Sequence, residues 1–437
     1  MSLNLIQRVF NINLKLLHFP HDIETFKLKA IEWLRSFNVC CMLDNNHSIN
    51  ALGLSDVECI IAAGTKEEFK GTGHRDWEEL DKEVNNNKED YLFGYLCYDL
   101  KNQIEKLLSN HPDHIGFDEL YFFKPLHLIL IHSDGSYIIH SPNHNLIEEV
   151  LSTEPLHFPY HPVQIKPKVS REKYIKNVKA IQQHIIEGDV YELNYCVEFF
   201  DEHVITDPYH VYQKLKHFSP TPFGAFLRVK DIFVLCASPE RFIKKRGETL
   251  YSQPIKGTVK RGANSQEDEQ MIQQLLQSEK ERAENLMIVD LVRNDLARSS
   301  NTGSINVEEL YGIYSFSQVH QMISTVSSQK NKSTSAVEAI KNAFPMGSMT
   351  GAPKVMAMEL IEKYENTKRG LYSGAIGYFT PNNDFDFNVV IRSIQYNETN
   401  QYISFEVGSA ITYDSDAELE YEECLLKAQA MMKALSS

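Results

Sequence analysis

Residues 170–200, SREKYIKNVKAIQQHIIEGDVYELNYCVEFF, open as a helix and close as a strand. Tyr174, Val178, Ile181 and Ile185 fall at i, i+4, i+7 and i+11, the apolar stripe of an amphipathic helix that Ser170 caps and Gly188 ends. Residues 191–200 then read as a strand, and 224–229 and 232–237 follow as two more. Helices and strands alternate irregularly, with no repeated βαβ unit and no internal repeat. The reading is an α+β protein rather than a doubly wound sheet.

Upstream, residues 152–169 (STEPLHFPYHPVQIKPKV) hold four prolines and little periodicity, which marks a linker. A boundary near 165 divides the chain into an N-terminal lobe, 1–165, and a larger domain, 166–437. In the first lobe Phe26, Ala30, Trp33, Leu34 and Phe37 keep helical spacing, 39–43 reads as a strand, and Asp44, Asn45 and Asn46 make a turn. Residues 93–100 and 126–131 read as strands, with a hairpin turn at Ser133, Asp134 and Gly135.

The 437 residues are 42% hydrophobic and 24% charged, enough apolar material for a large core and too much for a disordered chain. Lys and Arg number 44 against 59 Asp and Glu, and the formal net charge of −15 repels a nucleic-acid backbone. Apolar runs fall far short of the roughly 20 residues of a membrane span. Polar residues break up segment 1–15, so no signal peptide is read there and a cytoplasmic location is expected. The seven cysteines are scattered, without a C-x-x-C pair, and read as reduced thiols.

Two helical segments carry paired acids. In 279–298 Glu281 and Glu284 are spaced i, i+3; in 416–433 Glu420 and Glu423 repeat the spacing, with Lys427 four residues on. Ser278 with Glu281, and Ser415 with Glu418, have the capping-box spacing at the two helix starts. Brought together, the two acidic faces make a hard-oxygen site suited to Mg²⁺, which takes few carboxylates and keeps several waters.

Three further segments have chemical potential. Lys256 stands beside Gly257 and Thr258, where backbone approaches a ligand closely. Glu240 follows a strand and Pro239, a place for a general acid. Residues 345–354, PMGSMTGAPK, form a small-residue loop whose spacing is not that of a phosphate loop. No G-x-S-x-G or G-x-C-x-G turn is present, so neither a hydrolase nor a glutaminase nucleophile is read in this chain.

In this order the segments SPERF (238–242), PIKGT (254–258), ERAENLMIVDLVRNDLAR (281–298), MGSMTGAPK (346–354), RGLYSGAIGYF (369–379), VIRS (390–393) and GSAITYDSDAELEYEECLLKA (408–428) resemble the chorismate-utilising enzymes. The likeness is strong over 166–437 and weaker in the first lobe, through MLDN (42–45) and GYLCYDLKN (94–102). It implies two large, mostly antiparallel β-sheets packed face to face and flanked by helices, with the active site in the cleft between them. It implies Mg²⁺ on Glu284 and Glu423, with Glu281 and Glu420 acting through water. Tyr372 and Arg392 would hold the enolpyruvyl carboxylate of chorismate; Gly408, Ser409, Lys427 and the metal would hold the ring carboxylate. Gly257, Thr258 and Ser348 complete the substrate set.

Lys256 within PIKGT is similar to the p-aminobenzoate branch of the family; the anthranilate branch carries alanine there. The implied chemistry is amination at C4 of chorismate, with Lys256 adding at C2, Glu240 donating to the departing hydroxyl, and ammonia arriving from a separate glutaminase subunit. For a lysine to act this way its pKa must fall from near 10.4. Four positions depart from the family pattern: Glu192 for a usual glutamine, Gln321 for a histidine, Ser348 for a threonine and Ala410 for a glycine. The Glu192 departure keeps an isochorismate-type, water-adding reaction open, beside an anthranilate-forming enzyme and a non-catalytic chorismate-binding subunit. Relatives bind tryptophan in the first lobe; Asp44, Asn45, Pro222 and Phe223 match that site loosely, and it stays open.

Overall fold

Alternation along the strands sorts their side chains into separate cores. The computed structural model describes residues 19–48, 54, 57–156, 158, 163–316 and 318–436; segment 1–15 and five residues of the 152–169 linker lie outside them. In strand Val39–Asp44, Val39 and Cys41 enter a core built almost wholly of strand residues, while Cys40 and Met42 enter one shared with helices. In Leu92–Leu96, Phe93 and Tyr95 join the same strand-only core, and Leu92 and Leu96 face a second helical layer. Period-two alternation thus yields a sandwich of strands with a helix layer on each outer side.

All pairings are antiparallel, and among the described residues they link 19 strands into one connected sheet. The path starts at Val319–Gln329, flanked by Ile255–Lys260 and Asn306–Ser315, and passes through Thr249–Gln253, Arg241–Arg246, Phe385–Asn388 and Ala375–Phe379. It continues through Leu92–Leu96, Leu120–His132, Val57–Lys70 and Val39–Asp44. From there Phe223–Val229, Ile232–Ser238, Ser393–Asn397 and Tyr402–Ile411 lead to Glu192–Glu202. The α+β architecture with face-to-face packing is therefore present, its two halves being parts of one sheet. Strands from before residue 165 sit in the middle of this path, hydrogen-bonded on both sides to strands from after it.

Local chemistry sets the element ends. Ser170 accepts a hydrogen bond from the Lys173 N–H at 3.3 Å, and Gly188, with φ 86°, ends the helix Arg171–Glu187 in the left-handed region. Ser278 likewise caps helix Glu279–Ala297 through the Glu281 N–H. At the last helix, Ala417–Ser436, the cap is Asp416 rather than Ser415: its carboxylate accepts from the N–H groups of Glu418 and Leu419 at 2.9 and 3.0 Å. Ser415 instead donates to the Glu420 carboxylate at 2.8 Å. The strand read over 93–100 ends at Leu96, because the Tyr98 N–H leaves the ladder for the Gly370 carbonyl at 2.8 Å and a short 3₁₀ helix, Tyr98–Gln103, follows. No described helix is long and apolar enough to cross a membrane, and all seven cysteines are buried free thiols.

Gly94 marks the tightest strand contact. It pairs with Gly377 on one side and Phe122 on the other, and a Cβ there would lie 2.0 Å from the Tyr121 carbonyl oxygen. Because backbone cannot give way as a side-chain tip does, Gly94→Ala should destabilise the fold by about 1–3 kcal/mol. Urea unfolding measures this, and an unchanged midpoint would mean that this ladder is looser than described.

Candidate active site

Strand Ile255–Lys260 runs past the N-terminal half of helix Glu279–Ala297, held there by Asn285, whose amide donates to the Lys256 carbonyl at 3.3 Å and whose oxygen accepts from Ser324 at 2.6 Å. This brings Lys256, Gly257 and Thr258 opposite Glu281 and Glu284. At Gly257, φ is 96°, and a Cβ would stand 3.1 Å from a Glu281 carboxylate oxygen, so the glycine serves both the turn of the chain and the approach of the acid. Across the gap the last helix supplies Glu420, Glu423 and Lys427.

These elements enclose a cavity of about 1140 Å³. Its wall contains thirteen of the fourteen residues singled out from sequence: Lys256, Glu240, Gly257, Thr258, Ser348, Tyr372, Arg392, Gly408, Lys427, Glu281, Glu284, Glu420 and Glu423. Ser409 is the exception. Along strand Tyr402–Ile411 it alternates to the opposite side, where its hydroxyl meets the Tyr174 hydroxyl at 3.2 Å within the helical core. Only its backbone faces the strand's neighbours.

The same alternation puts Glu406 and Ala410 on the wall with Gly408, and Asn194 joins them from strand Glu192–Glu202. Neither Glu406 nor Asn194 was singled out, although period two counted from Gly408 reaches Glu406. Asn194 donates to the Ser348 carbonyl at 2.8 Å and so fixes the 346–352 loop against the strand. Gln321 also lines the wall, its amide oxygen buried without a partner. His320, beside it, turns the other way, between Ser315 and Asp268 at 2.8 and 2.9 Å. The lysine of the small-residue loop, Lys354, is bound to Asp295 at 2.7 Å and offers no anion site.

Charge dominates the cavity. The Lys256 ammonium lies 3.0 Å from Glu192 Oε1, and both side chains are nearly inaccessible. Burial alone would lower the lysine pKa, but the surrounding Glu192, Glu284 and Glu240 outweigh it and the pKa rises. In this state Lys256 is a cation, the reverse of the depression a nucleophilic amine requires. Glu240 is pushed up to about 7 by burial, against the pull of Lys256 and Arg392. Glu284 also reaches about 7, through burial and the nearby Glu192 and Glu281 charges, opposed by Lys256. Burial and the Glu423 charge raise Glu281. For Glu423, burial is outweighed by Lys427, 2.7 Å away, and its pKa falls. Lys427 also donates to the Gly408 carbonyl at 2.9 Å.

Arg392 adopts φ 50°, a strained backbone for a non-glycine residue, where its carbonyl accepts from the Ala237 N–H at 3.0 Å. The Tyr372 hydroxyl is buried 3.6 Å from the Cys196 sulfur.

Glu281, Glu284, Glu420 and Glu423 face one cavity without converging as tightly as other acidic groups do. Among the described residues, sets of three potential ligands converging within 4.8 Å occur elsewhere, at Glu24, His47 and Glu58 and at His184, Glu187 and Asp189. In the first of these the Lys27 ammonium, 2.8 Å from Glu24 and 2.5 Å from Glu58, already supplies the cation. The cavity carboxylates are looser; burial is the main cause of the raised pKa values of Glu281 and Glu284, and neighbouring acids add to it. Such a donor set fits an ion that takes one or two carboxylates and retains water, as Mg²⁺ does.

A second, smaller cavity of about 70 Å³ is lined by Asp44, Asn45, Pro222 and Phe223. Its acid is already neutralised: Asp44 pairs with Lys27 at 2.8 Å and Lys216 at 2.6 Å.

The family model described as chorismate binding enzyme matches residues 39–433. Aminodeoxychorismate synthase component 1 of Bacillus subtilis (strain 168) is 33% identical over 383 residues, which cover 83% of this chain and 81% of that protein. The chloroplastic aminodeoxychorismate synthase of Arabidopsis thaliana is 44% identical over 274 residues, 62% of this chain but only 29% of its own longer chain. Among solved structures, anthranilate synthase component I from Streptococcus pneumoniae TIGR4 superposes with a TM-score of 0.75 at 26% identity, covering 85% of this chain and 91% of that one.

The elevated Glu240 pKa has a stability consequence of definite sign. A carboxyl whose folded pKa is raised from 4.5 to about 7 favours folding less as pH rises through that window, because the native state must then give up a proton that it holds more tightly than the unfolded chain. Glu240→Gln removes this dependence. The variant should therefore gain stability relative to wild type between pH 4.5 and 7 and hold that gain above pH 7, as read from urea midpoints at pH 4.5, 6 and 8. A difference independent of pH would refute the buried, proton-holding state of Glu240.

Proposed function

Because the chain belongs to the chorismate binding enzyme family, we propose that it is an enzyme that aminates chorismate at C4, giving 4-amino-4-deoxychorismate for p-aminobenzoate synthesis. The observation that carries this reading is Lys256 and Glu240 on one cavity wall, the carboxyl holding its proton near neutral pH. The names of the relatives from Bacillus subtilis and Arabidopsis thaliana agree with it.

In the proposed reaction the Lys256 nitrogen adds to C2, both ring double bonds shift, and the C4–O bond breaks while Glu240 donates its proton, releasing water. Ammonia then adds at C4, both double bonds return, and the C2–N bond to Lys256 breaks. Arg392 and Tyr372 hold the enolpyruvyl carboxylate; Lys427 and the Gly408 backbone hold the ring carboxylate. Ser409 contributes at most its backbone, since its hydroxyl is engaged by Tyr174.

Glu284 and Glu423 are the residues that would hold Mg²⁺, with Glu281 and Glu420 acting through water. When bound, the ion supplies positive charge for the ring carboxylate and relieves the crowding of these acids. No glutaminase nucleophile is read in the sequence, and the component 1 designation of the Bacillus relative agrees with a separate ammonia-supplying subunit. Tryptophan in the first lobe is not needed for this reading; the Asp44 carboxylate in that smaller cavity is paired with Lys27 and Lys216.

Purified protein with chorismate, Mg²⁺ and ammonium should form aminodeoxychorismate without pyruvate, as followed by mass spectrometry. Lys256→Ala should lower the rate by at least about a hundredfold while chorismate still binds. Anthranilate with pyruvate, or isochorismate, would assign the chain to another reaction of the family. Chelation by EDTA, or Glu284→Gln, should abolish turnover and weaken chorismate binding, and full activity in EDTA would remove the metal from the proposal.

A further inference from the structure

The reading of Lys256 as nucleophile leaves its proton unaccounted for. Glu192 on strand Glu192–Glu202, Glu284 on the neighbouring helix and Glu240 at the strand turn are the acids that act on it most strongly, and Glu281 and Glu423 of the acidic cluster also face it. Glu240 must hold its own proton for the departing hydroxyl, so it is unsuited to accept another. Glu284 shares its wall with Glu281 in the acidic cluster read as the cation site. Glu192 remains, and it is the one in hydrogen-bond contact, Oε1 to Nζ 3.0 Å.

Glu192 is also firmly placed. Its backbone pairs with Ala352, and the neighbouring Tyr191 N–H donates to the Ala352 carbonyl at 2.7 Å. The side chain is 2% exposed, and its second oxygen, Oε2, is buried with no hydrogen-bond partner. One carboxylate oxygen thus holds the reacting ammonium in a fixed position.

We propose that Glu192 accepts a proton from the Lys256 ammonium, keeps it while the lysine nitrogen is bonded to C2 of the substrate, and returns it when ammonia expels the lysine. This rests on the nucleophile reading above. Proton transfer from Nζ to Glu192 frees the nitrogen lone pair, which forms the bond to C2 as the C4–O electron pair leaves with the Glu240 proton. When ammonia bonds to C4 and the C2–N bond breaks, the electron pair returns to Nζ and the Glu192 proton follows it. Solvent restores the proton of Glu240. A carboxylate at 192 thus lets the lysine react at a pH where it is otherwise a cation, because the Glu192–Lys256 pair carries one proton throughout.

The test is the pH dependence of the rate for Glu192→Gln and Glu192→Asp relative to wild type, from pH 7 to 9.5 with saturating chorismate and ammonium. Titration of ammonium affects all three proteins alike and cancels in the ratio. The glutamine variant must lose the lysine proton to solvent, so its rate relative to wild type should be down at least tenfold at pH 7 and should recover by about tenfold per pH unit. The aspartate variant keeps an acceptor and should show the wild-type pH dependence, whatever its absolute rate. A glutamine-to-wild-type ratio that does not change with pH, or an aspartate variant that follows the glutamine profile, overturns the proposal. Lys256→Ala, run beside them, separates the two claims: wild-type activity in that variant would overturn the nucleophile reading itself, whereas an inactive Lys256→Ala with a flat glutamine ratio would overturn only the role of Glu192.

Discussion

The cavity depends on one buried guanidinium. Arg369 donates to both oxygens of Glu365 at 2.6 and 2.9 Å, to the Met349 carbonyl at 2.7 Å, to the Asn194 carbonyl at 3.0 Å and to Ser373 at 3.2 Å. Glu365 in turn accepts from the Cys196 N–H at 2.9 Å. The fixed fork of an arginine therefore ties together the strand that carries Glu192 and Asn194, the loop that carries Ser348 and the turn that carries Tyr372. The strand and the loop also meet in a short antiparallel ladder, Leu193 with Gly351 and Glu192 with Ala352. A lysine, with three donors on a flexible stem, could not satisfy the same five acceptors. Removing one member of so buried a pair costs about 3–5 kcal/mol, since the other is left charged and dry.

With the walls fixed, electrostatics sorts the side chains. A chain of net charge −15 repels dianions, so a cavity for one needs its cations concentrated. Lys256, Arg392 and Lys427 supply them, but each stands among acids, and Lys427 is shared between Glu423 and the Gly408 carbonyl. The cavity is thus poised rather than simply positive. In the proposed reading, a divalent cation held by Glu284 and Glu423 would offset the negative charge of these acids.

How far this was legible from sequence follows the distance over which each feature is determined. The helix Arg171–Glu187 with its Ser170 and Gly188 ends, and the paired acids at i, i+3, are set within a turn or two, and reading them needed nothing remote. The cap at Asp416 was missed because Ser415 had the right spacing to Glu418 while competing for Glu420, a choice that only tertiary packing settles. Ser409 was placed with Gly408 because both lie in one motif, yet neighbours on a strand face opposite ways. Glu406, two residues before Gly408, shares its face for the same reason. Arg369 gave no signal, as its partners lie up to 175 residues away. The interleaving of strands across residue 165 is equally remote: Leu92–Leu96 finds Ala375–Phe379 by antiparallel register, which composition and periodicity do not encode.

Two carboxylates near one lysine would be redundant if they shared an environment, and they do not. Glu240 sits at the strand turn, where burial outweighs the Ser348 hydrogen bond and the Lys256 and Arg392 charges, so it keeps its proton to about pH 7. Glu192 lies in hydrogen-bond contact with the Lys256 ammonium. In the proposed reaction one group gives a proton and the other takes one, and the difference arises from placement on the sheet rather than from residue type. Lys256 lies within reach of both because the strand Ile255–Lys260 is pinned by Asn285 across from the strand that begins at Glu192. Reversing the two environments would leave a lysine that cannot shed its proton and a hydroxyl with nothing to protonate it, although every residue type would be unchanged. On the proposed reaction, the order of proton transfers in this cavity follows from placement in the fold.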